Sequence, residues 1–200
     1  MKRVILVTGG QRSGKSTYAE QLALCKAGVE QAVYMATARI WDDEFAHRVQ
    51  MHKDRRGHQW INIEEEKYLS RHNVEGKVVL IDCVTLWSTN FFFDQPAESA
   101  PLCGGSKDEE LHSTMDAQQA KDSANHVQHT IGRIKEEFDK FTAQDATFIF
   151  VTNEIGLGGV SENKVQRQFT DLLGWLNQYI ASKADQVYFM VSGIPMKIKG

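Results

Sequence analysis

Residues 4–20, VILVTGGQRSGKSTYAE, carry a pattern made for phosphate chemistry: Gly9, four intervening residues, then Gly14-Lys15-Ser16. Glycines let the backbone curl, so the N–H groups of the loop that runs through Gly9, Gly10, Gln11, Arg12, Ser13 and Gly14 turn inward toward phosphate oxygens. The N-terminus of a following helix adds partial positive charge. Lys15 is placed to reach the β- and γ-phosphates, and the Ser16 hydroxyl is a ligand for Mg2+. Asp82 ends the apolar run VVLID, where a second metal-binding carboxylate belongs, although an aspartate there also caps turns. Together these residues imply a bound nucleoside triphosphate with Mg2+.

A second group lies in DDEFAHRVQMHKDRRGHQW, residues 42–60. The acidic residues Asp42, Asp43 and Glu44 suit a helix N-terminus, and Phe45, Val49 and His52 then share one face. Lys53, Asp54, Arg55 and Arg56 follow His52 directly. Adjacent cations depress imidazole protonation, which keeps the ring nucleophilic, and they neutralise phosphate oxygens. An imidazole so placed could attack phosphorus and carry a phosphoryl or nucleotidyl group. Spacing alone favours a surface histidine on a charged helix face, with the arginines solvated. The other histidines have no comparable context.

The elements that must position these groups read as an α/β fold. Five short, β-branched, nearly continuous apolar runs occur at 4–8, 32–37, 78–83, 147–152 and 187–192, as in strands covered on both faces of a parallel sheet. Helical patterns lie between them. Val127, Ile131, Ile134, Phe138 and Phe141 form one stripe; Phe169, Leu172, Leu173, Leu176 and Ile180 form another. The expectation is one three-layer P-loop (RecA-like) domain over 1–200 with a mostly parallel central sheet. The segment from about 94 to 125 differs: it has no aromatic residue and no arginine. Pro96, Pro101 and Gly104-Gly105 mark a loop, and Ser106 with Glu109 has capping-box spacing. It reads as an exposed loop running into a long helix.

Composition narrows the class. Lys plus Arg number 23 against 26 Asp plus Glu, a net charge of −3, so no basic field advertises nucleic acid or an anionic membrane. Cys25, Cys83 and Cys103 make no C-x-x-C pair, which argues against a zinc site or a disulfide framework. No apolar run approaches a membrane span, and the one near the start is too short for a signal peptide, so a cytoplasmic location is expected. The late strand ends in TNEIG rather than a guanine-reading Asn-Lys-x-Asp, which weakens a GTPase switch. An arginine-rich lid is missing from 94–125, which weakens an adenylate-kinase-like enzyme. A single-function P-loop small-molecule kinase and a nucleotide-gated RecA-like ATPase or regulator stay open on these grounds.

The combination of VTGGQRSGKSTYAE, YMATARIWDDEFAHRVQMHKDRR, VVLIDCVTLWSTN, VTNEIGLGGV and VYFMVSGIPMKIK resembles one family. It is the bifunctional adenosylcobinamide kinase / adenosylcobinamide-phosphate guanylyltransferase family of cobalamin biosynthesis. The resemblance covers nearly the whole chain apart from roughly 94–125. It implies phosphorylation of the aminopropanol hydroxyl of adenosylcobinamide, with ATP or GTP as donor. It also implies transfer of GMP from GTP, through a guanylylated histidine, to give adenosylcobinamide-GDP. By the family pattern that histidine is His52, and Lys53, Asp54, Arg55 and Arg56 are nucleotide contacts. Ala36, Thr37, Ala38 and Glu64 map to further nucleotide-contacting positions, and Asp82 to the acidic residue ending the third strand. Ser161 departs from the proline frequent after the family's G-x-G-x-V. The family also implies a homo-oligomeric ring of a few subunits.

Overall fold

The computed structural model describes residues 2–39, 57–94 and 112–200. In chain order the elements are β1 (Arg3–Gly9), α1 (Lys15–Ala27), β2 (Ala32–Ala36), β3 (Trp60–Glu64), β4 (Val78–Asp82), α2 (Val84–Phe92), α3 (His112–Phe141), β5 (Thr147–Val151), α4 (Lys164–Lys183), β6 (Gln186–Val191) and β7 (Ile194–Lys199). The strands form one seven-stranded sheet in the order β3-β2-β4-β5-β1-β6-β7. Every neighbouring pair is parallel except the β6–β7 hairpin. This is the mostly parallel α/β sheet that the apolar runs imply, and its order is RecA-like, with β5 between the phosphate-loop strand and the strand ending in Asp82.

Strand periodicity sorts the core into two layers. Val4, Leu6, Val33, Met35, Val79, Ile81, Phe148 and Phe150 face one side. Ile5, Val7, Ala32, Tyr34, Leu80, Ile149 and Val151 alternate with them and face the other. The second side is covered by α1 through its small residues Ala19 and Ala23. The first is covered by α2, α3 and α4. Val127, Ile131, Ile134, Phe138 and Phe141 of α3 are all buried, as are Leu172, Leu173, Leu176 and Ile180 of α4, so both stripes face the sheet as the spacing predicts. Phe169 is half-buried against Phe92, ring centroids 5.5 Å apart. Each fully buried Leu, Ile or Phe side chain contributes about 1.5–3 kcal/mol.

Two strands lie beyond the five read from the sequence, and both are edges. In β3 only Trp60 is buried, and β7 is exposed along its whole length. An edge strand with solvent on most of its surface shows no continuous apolar run, and Pro195, Lys197 and Lys199 blunt the β7 edge. The β6–β7 turn carries positive φ at Ser192 (51°) and Gly193 (82°), the pattern of a tight hairpin. The helix expected from Asp42, Asp43 and Glu44 through His52 lies outside the described residues. Gly57 is irregular, His58 and Gln59 form a turn, and Trp60 already belongs to β3, set edge-on against Tyr34 at 5.6 Å. The loop marks at 96–105 and the helix start near Ser106 lie outside the described residues. Among the described residues no helix is long and apolar enough to cross a membrane.

Candidate nucleotide site

The C-terminal edge of the parallel strands gathers the candidate groups, as open α/β sheets do. The loop after β1 turns at Gly9 (φ 153°), Arg12 (φ 57°) and Gly14 (φ 90°), and α1 then starts at Lys15 with Gly14 as its N-cap. At two of these positions a side chain would be strained by positive φ and by close approach. A Cβ at Gly9 would come to 2.6 Å from the Met190 carbonyl oxygen, and one at Gly14 to 3.2 Å from Gly193 Cα. The loop is thus seated on the end of β6 and on the β6–β7 turn, and the Gly193 N–H donates to the Ser13 carbonyl at 3.0 Å. The β6–β7 hairpin buttresses the phosphate loop, a role with no sequence signal of its own. Gly9→Ala is expected to cost about 2–5 kcal/mol, from backbone strain plus a clash that the strand pair cannot relieve. Urea unfolding checks this; an unchanged midpoint would show that the loop backbone can shift away from β6.

Lys15 is buried, at 7% exposure. Its Nζ donates to the Gly10 carbonyl at 2.5 Å and to Ser13 Oγ at 3.4 Å, so the ammonium lies back over the curled loop. Desolvation lowers its pKa, while Cys83 and Asp82 act in the opposite direction. Ser16 Oγ donates to Asp82 Oδ1 at 3.5 Å, and Tyr34 Oη donates to Asp82 Oδ2 at 2.5 Å. The hydroxyl and the carboxylate read as a metal pair therefore meet across 66 residues of sequence. Both are hard oxygen donors of the kind Mg2+ prefers. Tyr34, which the sequence reading did not single out, orients the carboxylate. Next to it the half-buried Cys83 has its thiol pushed up to about 12, chiefly by desolvation and then by Asp82, so it stays protonated near neutrality.

Strand register extends the site sideways. Glu64 pairs with Ala36, Ala36 with Asp82, and Asp82 with Val151, one row across four strands. Ala36 and Ala38 are half-buried, and Thr37 is fully buried. The Thr37 hydroxyl donates to the Cys83 carbonyl at 2.8 Å, and its carbonyl accepts from Asn90 Nδ2 at 2.7 Å. Asn90 Nδ2 also donates to the Glu66 carbonyl at 2.9 Å, so a buried amide on α2 ties the ends of β2 and β3 together. Glu64 is exposed at the outer edge. Strand β3 is four positions from β1, which at about 4.8 Å per step puts Glu64 about 19 Å from the phosphate-loop strand. His52 and the cluster Lys53, Asp54, Arg55 and Arg56 lie outside the described residues.

Three polar residues beside the loop were not assigned roles from sequence. The Glu154 N–H donates to the Gly9 carbonyl at 3.0 Å, and Glu154 Oε2 accepts from Thr8 Oγ1 at 3.3 Å. Asn177 interrupts the apolar stripe of α4 and is buried, at 6% exposure. Asn153 receives no assigned role either; its N–H and side-chain amide both donate to Thr85 Oγ1, at 3.0 and 3.2 Å. The available sequence signals were TNE directly after an apolar run and one amide inside a leucine stripe.

Fold and loop define an α/β protein of the phosphate-loop nucleotide-binding class. The family profile described as "Cobinamide kinase / cobinamide phosphate guanyltransferase" matches residues 5–198. The chain belongs to that family, as its motifs imply. Among similar curated proteins is the bifunctional adenosylcobalamin biosynthesis protein CobU of Escherichia coli, 36% identical over 200 residues, covering 98% of this chain and 99% of the relative. The CobU protein of Salmonella typhimurium is likewise 36% identical with the same coverage. The corresponding CobP protein of Pseudomonas aeruginosa is 34% identical, covering 98% of this chain and 96% of its own. The flagellar accessory protein FlaH from Methanocaldococcus jannaschii aligns structurally with TM-score 0.45 at 12% identity, over 98% of this chain and 78% of its own.

Proposed function

We propose that this protein phosphorylates the aminopropanol hydroxyl of adenosylcobinamide with ATP or GTP, then transfers GMP from GTP to the phosphorylated corrinoid through a covalent intermediate on His52. The observation that carries the reading is the family match over residues 5–198. The convergence of Lys15, Ser16 and Asp82 at the head of α1 supports it at the level of chemistry.

The backbone amides of Gly9–Gly14 and the N-terminus of α1 bind the triphosphate. Ser16 and Asp82 would hold Mg2+, which when bound neutralises charge on the phosphate oxygens. In the kinase step the hydroxyl oxygen attacks the γ-phosphorus in line. The bond to the β-phosphate breaks, the nucleoside diphosphate leaves, and Lys15 offsets the charge that builds on the transferring group. In the second reaction a His52 ring nitrogen attacks the α-phosphorus of GTP and pyrophosphate leaves. A phosphate oxygen of the corrinoid then displaces the imidazole. Two in-line displacements give net retention at phosphorus, and splitting the transfer makes each step easier. Lys53, Arg55 and Arg56 neutralise the phosphate; Asp54, Ala36, Thr37, Ala38 and Glu64 contact the nucleotide. A cytoplasmic location and a homo-oligomeric ring complete the proposal.

The test incubates the protein with α-labelled GTP and adenosylcobinamide. The expected results are a phosphorylated corrinoid, an acid-labile and base-stable label on the precipitated protein, and chase of that label into adenosylcobinamide-GDP. Phosphorylated corrinoid with no label on the protein would reduce the enzyme to a single-function kinase.

A further inference from the structure

An alcohol must lose a proton as it attacks phosphorus, and the carboxylate that takes this proton has no assignment in the mechanism above. We propose that Glu154 is that general base; the inference rests on the kinase reading of the site.

The carboxylates at this edge of the sheet are few among the described residues. Asp82 is engaged by Ser16 and Tyr34. Glu64 stands four strands from the loop. Glu154 follows β5, which lies directly between the phosphate-loop strand and the Asp82 strand. Its backbone is tied to the first glycine of the loop, N–H to the Gly9 carbonyl at 3.0 Å. Its Oε2 accepts from Thr8 Oγ1 at 3.3 Å and from Asn177 Nδ2 at 3.5 Å, while Oε1 takes no partner among the described residues. The side chain is half-buried.

The supports under this residue are more than a surface turn requires. A buried amide on an apolar helix face costs stability unless its hydrogen bonds are made. Asn177 makes all of its observed ones to the three residues ending in Glu154. Its Oδ1 accepts from the Thr152 hydroxyl at 2.8 Å, and its Nδ2 donates to the Asn153 carbonyl at 3.1 Å and to Glu154. Thr85 of α2 grips Asn153 from the other side. The carboxylate is therefore held against the loop by two helices, with one oxygen fixed and the other available to a substrate.

As the hydroxyl oxygen forms its bond to the γ-phosphorus, its proton passes to Glu154 Oε1. The electron pair of the breaking P–O bond leaves with the nucleoside diphosphate. Guanylyl transfer has no such requirement, because a neutral imidazole and then an anionic phosphate are its nucleophiles. Glu154 thus serves one of the two reactions.

Glu154→Gln separates them. Its expected effect is a fall in kcat for adenosylcobinamide phosphorylation of about 10²–10⁴-fold, the usual contribution of a general base. The KM for the nucleotide stays at the wild-type value, as does the thermal midpoint. Labelling of the protein by α-labelled GTP, and transfer of that label to adenosylcobinamide phosphate supplied ready-made, proceed at the wild-type rate. Glu154→Asp recovers part of the lost kinase rate. Phosphorylation by Glu154→Gln within tenfold of wild type would overturn the assignment, as would a parallel loss of both reactions, which would make Glu154 a prop for the loop. A wild-type protein that transfers GMP but phosphorylates no corrinoid would remove the kinase reading itself, and the inference with it.

Discussion

Replacing His52 with alanine is expected to lower GMP transfer by more than about 10⁴-fold while phosphorylation of adenosylcobinamide continues at the wild-type rate. Removing a nucleophile deletes the covalent route altogether, and losses of this order accompany such changes. The contrast between the reactions is the informative part. In the proposed mechanism the kinase step needs the triphosphate cradle and a base, and neither includes an imidazole. Measuring both reactions on one preparation, with a precipitation assay for label from α-labelled GTP, gives the comparison directly. The variant protein should carry no acid-labile label. Label that persists would move the carrier role to another residue, and equal loss of both reactions would indicate that His52 supports the fold or the loop.

The second large effect is expected at Lys15. Lys15→Met should lower both reactions, each by about 10²–10³ in kcat, the scale seen when one preorganised donor to a developing charge is lost. Both fall in the proposed mechanism because the loop that holds the γ-phosphoryl group in the first reaction would also hold the departing pyrophosphate in the second. The folded state should not suffer. The ammonium is buried and desolvation already depresses its pKa, so an apolar side chain of similar length removes a burial penalty along with the charge. Thermal unfolding of the variant is therefore expected at or above the wild-type midpoint. A variant impaired in phosphorylation alone would mean that the two reactions use different triphosphate positions.

Much of the architecture was legible as pattern. The five apolar runs are strands of the sheet, because strands covered on both faces are apolar at nearly every position. The two helix stripes face that sheet for the same reason. The Gly9–Ser16 loop was legible because its chemistry is local: glycine spacing, lysine and serine lie within eight residues and need only the strand before and the helix after. Edge strands β3 and β7 were not, since most of their side chains face solvent and carry no periodic signal. Trp60 opens β3, a strand that the apolar runs did not mark. A single large apolar residue fits either period, and pairing of β3 along β2 from Ala32 to Ala36 selected the strand.

The chain's own order of residues was sufficient to specify the family, the triphosphate loop and the layered α/β core, since each depends on near neighbours or on a repeating burial pattern. Contacts across long separations needed the folded molecule. Ser16 meets Asp82, Thr8 meets Glu154, and Gly193 closes on Ser13 because parallel pairing brings the ends of non-consecutive strands to one edge. The order β4-β5-β1 that sets Glu154 between the loop and Asp82 is a property of the whole sheet, and no local spacing encodes it.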